Sequence, residues 1–127
     1  MGTTWPSSRS LAWKAAHVSD RSRTVPESAE LRRLRQRIDA LDRRIVGLLN
    51  ERADLAREAG RAKHAAGRRA IRDAAREREV LLRVTMANSG PLPQADLLAL
   101  YRRLMTATRA LEARDREREE TRGADDD

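Results

Sequence analysis

The sequence predicts an all-α fold: a three-helix protomer whose long N-terminal helix needs cover from another chain. Three observations predict it. Apolar residues recur at three- and four-residue steps, and nowhere in the strict alternation of a half-buried strand. Two clusters of turn residues, around Gly67 and at Asn88, Ser89, Gly90 and Pro91, cut the periodic stretch into three. The 127 residues include two Trp, one Tyr and no Phe, so the core must be assembled from Leu, Ile, Val and Ala. A single chain of this size with so few large side chains buries only a modest core, and oligomerisation is the natural remedy.

The first helix begins at Ser28, a residue suited to capping, with Glu30 in the first turn where the helix dipole favours an acid. Leu31, Leu34, Ile38, Leu41, Ile45, Leu48, Leu49, Leu55, Ala56 and Ala59 then form one stripe. Gly67 ends the pattern. From Glu30 to Ala66 such a helix is roughly 55 Å long at ~1.5 Å per residue, more than a compact domain of this size spans. Asp73 is placed to cap the second helix, whose stripe is Val80, Leu81 and Val84. The third begins near Pro93, with Leu97, Leu100, Tyr101, Leu104, Ala107 and Leu111 expected to face inward. The folded domain is expected over residues 29–115. Residues 1–28, rich in Ser, Thr and Arg, read as a disordered N-terminal extension, and 116–127 as a charged tail, solvated or frayed.

Composition excludes several classes. With no cysteine there are no disulfide staples and no cysteine-based metal or redox site, which suits a reducing cytoplasm. No apolar run is long enough to span a bilayer, so no membrane partner is expected. The formal net charge of +7 invites a nucleic-acid reading. Against it, 27 basic residues are balanced by 20 acidic ones, and the arginines are scattered along the helices rather than gathered in one block. The expectation is therefore no nucleic-acid partner.

The informative residues are charges sitting on apolar stripes. At ~100° per residue, Arg52 and Lys63 point within ~20° of Ile45, the centre of the first stripe, and Arg35 lies at its edge. On the second helix Glu77 falls between Leu81 and Val84, with Asp73 beside it and Arg76 at the margin. On the third, Thr108 and Glu112 share one face. Buried charges need partners, and internal pairing, Glu77 with Arg52 for example, accounts for some of them. Charges converging from three helices with cations in excess suit a pocket for a small dianion instead. Arg35 and Lys63 lie roughly 42 Å apart along one straight helix. If both serve one site, Arg35 comes from an antiparallel partner, and a two-fold dimer holds two shared sites.

On these same residues the sequence resembles the AroQ class of chorismate mutases. LRRLRQRIDALDRRIVGLLNERADLAREAGRAK resembles the first helix of that family, IRDAAREREVL its second-helix motif, and NSGPL with LLALYRRLMTATRALE its third. The likeness covers about residues 30 to 115. It implies an intertwined all-helical homodimer, with no cofactor and no metal, that rearranges chorismate to prephenate in phenylalanine and tyrosine biosynthesis. It leaves room for docking on another shikimate-pathway enzyme. It also implies roles. Arg35 from the other subunit and Arg52 hold the substrate carboxylates, and Lys63 donates to a carboxylate and to the ether oxygen. Asp73 (through its backbone), Arg76 and Glu77 surround the ring hydroxyl, with Glu77 accepting its hydrogen bond. Thr108 stands where the family often has Ser, and Glu112 where many members have Gln donating to the ether oxygen.

Two departures follow from the resemblance. The loop between Lys63 and Asp73 is longer than the commonest family spacing, which leaves the register of residues 68–72 open. Glu112 can donate only when protonated, a state that burial favours and nearby Lys63 opposes. Activity is therefore expected to favour the acidic side. Rival readings are an enzyme of the same scaffold acting on isochorismate or 4-amino-4-deoxychorismate, and a non-catalytic helical dimerisation or regulatory module. The last has no need of Arg52 and Lys63 at the centre of the stripe.

Overall fold

The computed structural model describes residues 25–126, so the extension expected over residues 1–28 lies, save for its C-terminal end, outside the described residues. These residues form three helices, α1 (Ala29–Ala65), α2 (Ala74–Ala87) and α3 (Gln94–Asp125). Each boundary has a local cause. The Leu31 amide donates to Ser28 Oγ at 3.1 Å, which caps α1 as expected. At the other end Gly67 has a φ of 87°, the left-handed region open to glycine. Its amide donates to the His64 carbonyl at 3.0 Å, and the Arg68 amide donates to that of Lys63 at 2.9 Å. This pair of bonds is a Schellman motif, and it ends α1 within four residues of Lys63.

Asp73 is the cap of α2, its Oδ1 accepting from the Arg76 amide at 3.0 Å. Asn88 ends that helix, and its Nδ2 donates to the Leu92 carbonyl at 3.1 Å, holding the turn toward α3. Pro93 occupies the cap position of α3 rather than its first turn, and its carbonyl accepts from the Leu97 amide at 3.1 Å.

The chain divides after Ile45 into two compact units. In the first, Arg35 Nη1 lies 2.7 Å from Glu27 Oε1, and Arg32 Nη1 donates to the Glu27 carbonyl at 3.1 Å. The second holds the rest of α1 with α2 and α3. Its most buried side chains are Met105, Thr108 and Glu112, at 6%, 7% and 9% exposure, so polar groups occupy most of the tightest packing. Gly60 is buried on α1. Among the described residues the apolar stripe of α1 stays exposed, at Leu34, Ile38, Leu41, Ile45, Leu48 and Leu55.

Two expectations for α3 need correction. Leu100 and Ala107, expected to face inward, are exposed. The buried arc centres on Thr108, and both residues lie about 80–100° around the helix from it. The charged stretch expected as a frayed tail continues α3 to Asp125. Its Ala, Glu and Arg residues are good helix formers, and its start is anchored. Arg57 Nε and Nη2 donate to Asp115 Oδ2 and Oδ1 at 2.8 and 2.9 Å, and Arg116 Nη1 donates to the Arg69 carbonyl. Among the described residues no helix is long and apolar enough to cross a membrane.

The Arg57–Asp115 fork has a pH signature. Its hydrogen bonds hold the Asp115 carboxyl below the usual carboxylate range. A carboxyl lowered in the folded state stabilises above its unfolded pKa, and that contribution disappears as pH falls through its folded value. Thermal melts are therefore expected to show Asp115→Asn less stable than the wild type at pH 7, with the deficit shrinking below about pH 4. A deficit that stays constant with pH would mean that the fork contributes through shape rather than charge.

Candidate active site

The second unit opens a cleft of about 430 Å³ among its three helical segments. Of the eight residues singled out in the sequence, Arg52, Lys63, Asp73, Arg76, Glu77, Thr108 and Glu112 line it. Arg35 does not, and within this chain its guanidinium is paired with Glu27. Local structure explains the convergence. Arg52 and Lys63 lie three turns apart on one face of α1. The Schellman turn and the loop after it bring Asp73 back alongside. The α2 cap then sets Arg76 and Glu77 in the first turn, and α3 supplies Thr108 and Glu112 one turn apart.

The side chains are held in different ways. The Arg52 guanidinium carbon lies 5.8 Å from the centroid of the Tyr101 ring, a cation–π contact that aims the group without neutralising it. The Asp73 carboxylate is held by capping, its Oδ1 accepting from the Arg76 amide. Arg76 is exposed and its Nη1 lies 3.3 Å from Glu79 Oε1, at the rim of the cleft. Thr108 Oγ1 donates to the Leu104 carbonyl at 2.9 Å. Its oxygen is free to accept, and donating to a ligand requires the hydroxyl to rotate.

Glu112 is the most constrained. An ideal Cβ on Gly60 would lie 3.2 Å from Glu112 Cδ and 3.4 Å from its Oε2, so a larger residue would push the carboxyl back from α1 by a few tenths of an ångström. Oε2 is buried with no hydrogen-bond partner among the described residues. Burial pushes the Glu112 carboxyl up; Lys63, and less strongly Arg116, pull it down without reversing the shift.

Two pairings went unread in the sequence. Glu77 is paired with Arg109, not with Arg52: Arg109 Nη1 donates to both Glu77 oxygens at 2.6 Å. Arg109 lies at the edge of the buried arc of α3, where an arginine reads as solvated. The signal was its 4,3 spacing between Met105 and Glu112. Arg57, which grips Asp115 one turn beyond Glu112, lies well off the α1 stripe. With Arg109 counted, the cleft carries four cationic side chains and three carboxylic ones, so keeping Glu112 protonated enlarges the positive excess.

The chain is similar to known proteins over this region. Residues 34–113 match the family described as chorismate mutase type II. A bifunctional chorismate mutase/prephenate dehydratase of Stutzerimonas stutzeri is 39% identical over 92 residues, covering 69% of this chain and 25% of that protein. One of Aquifex aeolicus is 39% identical over 87 residues, covering 65% and 24%. The chain thus spans about a quarter of the length of these curated relatives. The solved structure of chorismate mutase (form II) from Thermus thermophilus superposes with a TM-score of 0.63 at 34% identity, covering 67% of this chain and 96% of that one.

The contact between Gly60 and Glu112 can be tested directly. Gly60→Ala gains helix propensity but overpacks the site, and the net expectation is a loss of about 1 kcal/mol in urea unfolding. The Glu112 carboxyl, displaced from its niche, should titrate closer to an ordinary glutamate by NMR. A gain in stability with an unchanged titration would show that the contact is loose.

Proposed function

The chain belongs to the chorismate mutase type II family, and on that premise we propose that it converts chorismate to prephenate as a homodimer. The observation that carries this reading is the convergence of Arg52, Lys63, Asp73, Arg76, Glu77, Thr108 and Glu112 on one cleft with cations in excess. The reaction is an intramolecular rearrangement, in which an ether C–O bond breaks as a C–C bond forms. What it asks of a protein is a compact substrate conformer and stabilisation of charge as the bonds exchange.

Arg52 and Arg35 of the partner subunit clamp the two carboxylates, an orientation effect. Lys63 and the protonated Glu112 donate to the ether oxygen as negative charge develops there. Each such donor contributes on the order of 10²-fold in rate by analogy with oxyanion-hole donors. Glu77 accepts from the ring hydroxyl, and Asp73 and Arg76 bound that end of the pocket. Thr108 meets a carboxylate once its hydroxyl turns from Leu104. The exposed stripe of α1 supports the dimer, because a contiguous apolar surface of that length marks an interface. A cysteine-free chain of this kind suits the cytoplasm.

The test is loss of chorismate absorbance across pH 5 to 8, with prephenate identified as product. Glu112 is raised above the usual carboxylate range. The donor form is therefore present on the acidic side and is lost as pH climbs through its folded pKa. The wild-type rate should rise toward acid, and Glu112→Gln, a donor at every pH, should flatten the profile. No turnover from a folded dimer would remove the activity. A wild-type profile already flat would remove the role of Glu112 alone.

A further inference from the structure

One charged group of the cleft has no task in that reaction. Arg109 donates from a single nitrogen to both oxygens of Glu77 at 2.6 Å, and its Nη2 is steadied by Thr106 Oγ1 at 3.2 Å. The Glu77 side chain is only 18% exposed and that of Arg109 29%. Arg72 Nε adds a longer contact, 3.6 Å from Glu77 Oε1, from a side chain that is 69% exposed and correspondingly screened. The negative charge of Glu77 is thus matched within the protein before any ligand arrives.

We propose that Arg109 is a specificity-determining residue: by neutralising Glu77 it makes the cleft select a neutral hydroxyl over an ammonium at the ring 4-position of the substrate. This rests on the proposed function, in which Glu77 meets that position. A carboxylate oxygen has two lone-pair sites, so with Arg109 on one of them each oxygen can still accept from a hydroxyl. A hydroxyl brings no net charge, and its hydrogen bond to Glu77 forms at little Coulombic cost. An ammonium in the same place sits about 5 Å from the guanidinium, two hydrogen-bond lengths through one oxygen. At that range the repulsion between unit charges offsets roughly half of the attraction to Glu77, which acts over one hydrogen-bond length. Lys63 deeper in the cleft adds to the opposition, while Arg76, itself paired with Glu79, and the Asp73 carboxylate at the same end act in opposite senses. Glu77 alone would welcome both substituents, whereas the Glu77–Arg109 pair tells them apart.

The experiment compares kcat/KM for chorismate and for 4-amino-4-deoxychorismate in the wild type, Arg109→Met and Arg109→Lys. Taking the ratio within each variant cancels any loss of folded protein. The wild type should favour chorismate. Arg109→Met should lower that preference by about tenfold or more, ~1.4 kcal/mol, chiefly through a lower KM for the amino compound. Arg109→Lys, which keeps the charge, should retain most of it. An unchanged ratio in Arg109→Met, a wild-type preference for the amino compound, or a lysine variant as permissive as the methionine one overturns the proposal. If the wild type turns over chorismate and the ratio does not move, the selectivity claim alone fails. If it turns over neither compound, the reading of the site fails and takes this claim with it.

Discussion

Everything else in the molecule depends on an apolar stripe that the described residues leave exposed. Along α1 the leucines and isoleucines at helical spacing are exposed, and Met105, at 6% exposure, is the one buried hydrophobic side chain among the residues described. Burial of apolar surface is the main force available to offset the entropy of ordering a chain. A protomer with so little of it has much to gain from association. The proposed second copy covers the stripe. It also brings Arg35, which does not line the cleft of its own chain, to the cleft of its partner. Fold stability and the completeness of the site then have one cause.

The interior of the second unit is costly for a structural core and suited to a binding site. Thr108 and Glu112 occupy positions that apolar residues would fill at less cost, and Glu112 keeps an oxygen buried without a partner. Gly60 makes room for that carboxyl, and burial favours its neutral form against the pull of Lys63. The two ion pairs nearby differ in purpose. Arg57 and Asp115 form a fork outside the cleft that fastens α3 to α1 just beyond Glu112. Arg109 and Glu77 pair inside it, where the charge balance bears on the ligand.

What was legible in the sequence followed from local rules. Ser28, Gly67 and Asp73 mark helix ends because a cap or a left-handed residue acts on its nearest neighbours, and the structure uses all three as expected. The cleft residues were legible because a charge at the centre of an apolar stripe has no cheap structural explanation. Arg109 and Arg57 were missed for the converse reason: each lies at or beyond the edge of its stripe, where an arginine needs no explanation. Their roles depend on which carboxylate a neighbouring helix presents, and that is a tertiary fact. The helical course of residues 116–125 is not legible locally, because a run of charge reads as a solvated tail while the anchoring of Asp115 and Arg116 lies elsewhere in the chain.

The central claim, that each site is assembled from two chains, is tested most directly by complementation between Arg35→Ala and Lys63→Ala. Each homodimer lacks an essential cation in both of its sites and should be nearly inactive on chorismate. Unfolding the two variants together and refolding the mixture allows mixed dimers, in which one site receives an intact Lys63 from one chain and an intact Arg35 from the other. With random pairing, half of the dimers are mixed and each has one working site, so recovery to about a quarter of wild-type activity is expected from two-fold symmetry. A mixture as inactive as its parents, with mixed dimers demonstrably formed, would contradict the shared site.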